Sequence, residues 1–167
     1  MFPVWLSGIA ALVLFAGLGA YLAPLEPGIV ALQFAFTPRS FAAIVHAWPP
    51  EHLLRYRAHL PFDGLLLVCY ACFGYLLATR SALFAGRSRG VRNAAAWALP
   101  LGAGFDAAEN ALHWWLTEVP RFGVALPYAL SATVSALKWA LLLGFAIAVV
   151  LALVRKEGTE AAAGTDP

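Results

Sequence analysis

Charge is scarce in this sequence. Only 12% of its 167 residues are Asp, Glu, Lys or Arg, while 62% are hydrophobic. About half apolar is the usual share for a soluble domain, which has too little interior to hide more. The formal net charge is +2 and no basic run occurs, so no nucleic-acid surface is expected. Two cysteines are too few for a disulfide framework. Internal repeats are missing, as are phosphate-loop, nucleophile-elbow and HExxH motifs. These absences leave one compact unit, residues 1–156, with the lipid bilayer as its partner.

Four stretches approach or exceed the roughly 20 mostly apolar residues that a spanning helix needs. They are Pro3–Ala23, Pro61–Thr79, Val91–Leu116 and Ala125–Val154. The pattern predicts an all-α membrane protein with four transmembrane helices in an antiparallel bundle. The first stretch is read as a spanning helix, not a cleaved signal peptide. Met1 to Trp5 contains no Lys or Arg, and the apolar run is long for a signal.

Orientation follows from basic residues in the loops. Arg80, Arg87, Arg89 and Arg92 crowd the link between the second and third helices without an acid, and Arg155 and Lys156 end the fourth. The positive-inside rule places both groups in the cytoplasm. Both termini then face the cytoplasm, in a membrane of the bacterial inner type. Residues 157–167, EGTEAAAGTDP, read as a disordered cytoplasmic tail.

The long outer link from Pro24 to Leu60 contains helical signals of its own. Thr37 can cap a helix start, and Pro38 fits its first turn. Phe41, Ile44, Val45 and Trp48 fall on one face, closed by Pro49-Pro50. Leu53, Tyr56 and Leu60 continue the pattern. Two short amphipathic helices lying at the interface are expected here. The segment Gly28 to Phe36 is apolar but too short to cross.

Against this apolar background the third and fourth helices carry ionisable groups. Asp106, Glu109, Asn110 and His113 sit at i, i+3, i+4 and i+7, one helical face. Ser131, Ser135 and Lys138 share a face of the fourth helix, while Asp63 and Tyr70 lie on the second. A charge at the centre of a spanning helix costs about 2.5–3.5 kcal/mol, and a Leu returns only about 0.3–0.6. These groups must therefore face the interior and find partners there. Three acids against one Lys leave negative charge in excess. A protonated carboxyl, Arg57, Arg121 or a metal would balance it. Pro100 and the glycines after it predict a kink beside the acids.

The first expectation is a pocket for a lipid-like or isoprenoid-like amphiphile, its cofactor requirement unknown. Asp106, Glu109 and Lys138 are the catalytic candidates if turnover occurs, with the carboxylates as acid or base and the ammonium stabilising negative charge. Asp63, Tyr70, Asn110, His113 and Ser135 are the ligand-binding candidates. Trp97, Trp114, Trp115 and Trp139 would suit a cationic ligand, and Trp114 and Trp115 also read as interfacial anchors. The alternative is a scaffold or complex subunit whose ion network only organises packing. Lesser alternatives are a carboxylate and histidine metal site and thiol redox at Cys69-Tyr70-Ala71-Cys72. In size the chain resembles small four-helix membrane proteins that pass electrons from thiols to quinone. Those use a second cysteine pair, which this sequence lacks.

Overall fold

The computed structural model describes residues 1–119 and 121–163, with side-chain surroundings given through residue 154. Every regular element among the described residues is helical. In chain order these are α1 (Phe2–Leu22), α2 (Ile29–Gln33), α3 (Pro38–Ala47), α4 (Pro50–Arg80), a 3-10 turn (Ala82–Phe84), α5 (Arg89–Glu118) and α6 (Leu126–Ala163). Three of the described helices, α1, α4 and α6, are long and apolar enough to cross a membrane. The chain is thus an all-helical, multi-pass membrane protein. A fourth long helix, α5, spans 30 residues but carries the acidic cluster. α6 extends into the expected tail, whose remainder lies outside the described residues.

α1 is apolar on all sides. Val4, Ala11 and Leu22 are buried, whereas Phe2, Trp5, Leu6, Ile9, Val13 and Phe15 are exposed. Such a helix has no stable place in water but needs no further cover in lipid. Its Ser7 hydroxyl is returned to the helix, donating to the Pro3 carbonyl at 2.8 Å.

The link after α1 holds two short helices. α3 starts where Thr37 and Pro38 predict. Thr37 Oγ1 accepts from the Ser40 N–H at 3.1 Å, and Ser40 Oγ accepts from the Thr37 N–H at 3.2 Å. This reciprocal pair satisfies two otherwise orphan donors. The expected apolar face is buried at Phe41, Val45 and Trp48. Trp48 Nε1 also donates to the Pro27 carbonyl at 2.8 Å, tying the link together.

The second short amphipathic helix, expected after Pro50, is not separate. It forms the first turns of α4, which continues through Pro61 to Arg80. An interior proline forfeits one backbone bond at about 3 kcal/mol. Burial of Tyr56, His59 and Leu60 in the turns before it offsets that loss. α5 likewise continues through Pro100, and its start is capped by Ser88 Oγ accepting from the Val91 N–H.

The long helices pack in sequence: α1 on α4, α4 on α5, α5 on α6. Two glycines permit this closeness. A Cβ at Gly8 would lie 2.8 Å from the Phe73 ring, and one at Gly74 would lie 2.7 Å from Leu99. One core joins α2, α3 and the first turns of α4 to Leu116 and Tyr128. A middle core gathers Ala11, Leu66, Leu67, Tyr70, Leu99, Ala103 and Phe145. A third closes the far end around Phe84. Among the described residues no extended interface joins α1 to α6, and the site lies beside that gap.

Candidate intramembrane site

Asp106, Glu109 and His113 rise on one face of α5 and are all buried. Lys138 of α6 meets the first two. Its Nζ donates to Asp106 Oδ1 at 3.0 Å and lies 2.7 Å from Glu109 Oε2. One ammonium thus bridges two carboxylates one turn apart. Tyr70 of α4 donates to the other Asp106 oxygen at 3.2 Å. Three helices are thereby joined at a single carboxylate.

A second layer lies further along α5. His113 Nδ1 is 3.9 Å from Glu109 Oε1 and 2.6 Å from the Tyr56 hydroxyl. The ring is enclosed by Phe41 and Tyr56, with centroids at 5.8 and 6.1 Å. His113 Nε2 has no partner. His59, one turn beyond Tyr56, bonds the Tyr56 carbonyl through Nδ1. That bond requires a proton on Nδ1, which leaves Nε2 of the neutral ring as an acceptor. Asn110 Nδ2 donates to Asp63 Oδ2 at 2.6 Å, so Asp63 joins α4 to α5.

Beside these groups lies a cavity of about 650 Å³. Its polar lining comes from Gln33, Tyr56, His59, Asp63, Tyr70, Asp106, Glu109, Asn110, Lys138 and Trp139. Its apolar wall is largely α1, through Gly8, Ala11, Leu12, Phe15, Leu18, Gly19 and Leu22. Those residues recur at helical spacing and form one stripe. α2 roofs the space and is tied to α6 by Trp139 Nε1 donating to Gln33 Oε1 at 3.0 Å.

Five of the eight residues expected from sequence, Tyr70, Asp106, Glu109, His113 and Lys138, therefore meet in one network, and Asp63 and Asn110 form a separate pair beside it. Six of the eight line the cavity: Asp63, Tyr70, Asp106, Glu109, Asn110 and Lys138. His113 belongs to the network but sits behind the cavity wall. Ser135 does not join. It is fully buried, and its hydroxyl donates to the Ser131 carbonyl one turn back at 2.9 Å. Serine in an apolar helix often answers its own backbone in this way.

The two arginines considered as balancing cations are also elsewhere. Arg57 lies 3.5 Å from Glu118 and stacks over Trp114 at 4.8 Å. Arg121 stacks over Trp115 at 5.1 Å. Both serve surface tryptophans. Among the described residues no group of three or more His, Cys, Asp or Glu side chains is arranged to hold a metal. Asp106 and Glu109 instead turn their oxygens onto Lys138. Cys69 and Cys72 are free thiols on α4, the second exposed on the helix surface.

Four residues of the cavity's polar lining escape the sequence reading of the site: Gln33, Tyr56, His59 and Trp139. Trp139 registers there only as a general aromatic. Tyr56, His59, Asp63 and Tyr70 fall at i, i+3, i+7 and i+14, one face of an unbroken helix. That signal exists only if the helix is continued through Pro61.

No protein family, curated protein or solved structure matches this chain in the comparisons made.

Proposed function

We propose that this chain is a four-span membrane bundle in which α5 is the fourth crossing helix, antiparallel to α4 and α6. Both termini face the cytoplasm of a bacterial inner membrane, and the interior cavity binds a lipid-like or isoprenoid-like amphiphile. The observation that carries the reading is the cavity itself. It is large, walled by apolar side chains on α1, and edged by converging buried polar groups. That combination is the usual mark of a small-molecule site. The lack of an extended interface between the described residues of α1 and α6 leaves a lipid-borne ligand a sideways entry.

In this reading the polar head of the ligand meets Asp63, Asp106, Glu109 and Lys138, and its apolar body lies along the α1 stripe. If turnover accompanies binding, Asp106 and Glu109 are the groups able to exchange a proton, with Lys138 beside any negative charge that develops.

The scaffold alternative draws on one observation. The ion pairs and the Asp63–Asn110 bond link α4, α5 and α6 without requiring any ligand. The two readings part on a variant that fills the cavity and leaves the network alone. Gly19 lines the cavity, and a Cβ there meets nothing within 4 Å. We expect Gly19→Trp to keep the melting temperature in mild detergent while abolishing the amphiphile that co-purifies with the wild type. Co-purifying lipids are measured by mass spectrometry after extraction. Equal lipid content in both proteins, or none specific to the wild type, would replace the pocket with the scaffold.

A further inference from the structure

Resting on the proposed amphiphile pocket, we infer that the head group it takes is a protonated amine. Three carboxylates, Asp63, Asp106 and Glu109, line the cavity against a single ammonium, Lys138. The other nearby cations are committed elsewhere, Arg57 to Glu118 and Trp114, and Arg121 to Trp115. With its carboxyls ionised, the cavity carries more negative than positive charge in an apolar surround. An anionic head would have to compete with Asp106 and Glu109 for Lys138. A cationic head meets carboxylate directly.

Hydrogen-bond capacity points the same way. Lys138 is held between Asp106 and Glu109. The Tyr70 hydroxyl is spent on Asp106, and the Tyr56 hydroxyl is engaged with His113. Asn110 gives one of its two amide N–H groups to Asp63. On the acceptor side capacity is left over. Asp63 uses only Oδ2, and His59 holds its ring by Nδ1, leaving Nε2. The uncommitted carboxylate oxygen of Asp63 calls for a ligand bearing N–H groups. An ammonium supplies both the donors and the charge, so each bond it makes is charge-assisted. Tyr56, Tyr70 and Trp139 also line the cavity, and aromatic rings favour a cation over an anion. The stripe from Gly8 to Leu22 covers roughly 21 Å of helix at 1.5 Å per residue, room for an extended alkyl chain.

Three probes of equal chain length test this in wild-type protein held in nonionic detergent: hexadecylamine, hexadecanoic acid and hexadecanol. Binding is read by native mass spectrometry and by competition for one labelled probe. The amine is expected to bind about tenfold or more tightly than the alcohol, as one charge-assisted hydrogen bond provides, and the acid most weakly. In Asp63→Asn the preference of amine over alcohol should collapse toward unity. Equal or tighter binding of the acid or the alcohol overturns the amine inference while leaving an amphiphile pocket. Binding of none of the three overturns both. Should Asp63→Asn fail to fold, the wild-type ranking alone decides.

Discussion

Lys138 holds the site together because it alone answers two buried carboxylates. Its contacts at 3.0 and 2.7 Å join α6 to two successive turns of α5. Removing one partner of a buried ion pair leaves an uncompensated charge and costs about 3–5 kcal/mol, whereas removing all partners together is often nearly neutral. Lys138→Met is therefore expected to lower the melting temperature in detergent sharply. The combined variant Lys138→Met, Asp106→Asn, Glu109→Gln should recover most of the loss. If the single substitution melts like the wild type, the network contributes little to the fold. The participants were legible in the sequence because each is a polar group in an apolar run, placed by helical spacing. Ser135 fits the same spacing and yet stays out. A hydroxyl can be satisfied by the carbonyl one turn back, so its position on a face does not reveal its partner. A buried Lys or Asp has no such local option.

At the scale of elements, α5 is the helix that its neighbours must carry. Its cavity-facing side is acidic and its first turns hold Arg89 and Arg92, so it alone among the long helices lacks an apolar stretch sufficient to cross. Placed by itself in a translocon insertion assay, α5 should insert poorly. Replacing Asp106 and Glu109 by Leu should improve its apparent insertion free energy by about 3 kcal/mol for each change. Full insertion of the unaltered isolated helix would contradict this dependence. The extent of α4 was less legible. Pro61 reads as a boundary because proline breaks an isolated helix, yet packing of Tyr56, His59 and Leu60 carries the helix across it. Misplacing that boundary hides Tyr56 and His59 from the site. The cavity was not legible at all. It lies where the described residues of α1 and α6 make no extended interface, and hydropathy registers only how apolar each helix is.

For the molecule as a whole, the proposed function depends on which side of the membrane each loop faces. The roofed end of the cavity carries the α2–α3 link and the turn between α5 and α6, while Arg80, Arg87 and Arg89 mark the opposite end. Basic short loops stay in the cytoplasm, so in the proposed orientation the roof lies outside and the proposed ligand would enter from the outer leaflet. The two ends can be told apart by single cysteines in a Cys69→Ala, Cys72→Ala background. Both native thiols lie on α4 and are free. A membrane-impermeant maleimide should label Glu26→Cys and Gly123→Cys in intact cells. It should label Ser88→Cys only after the membrane is opened. Labelling of Ser88→Cys and Gly123→Cys from the same side would mean that α5 does not cross. Asp106, Glu109 and Lys138 would then sit in a different surround, and the amphiphile pocket would lose the lipid-facing entry on which it depends.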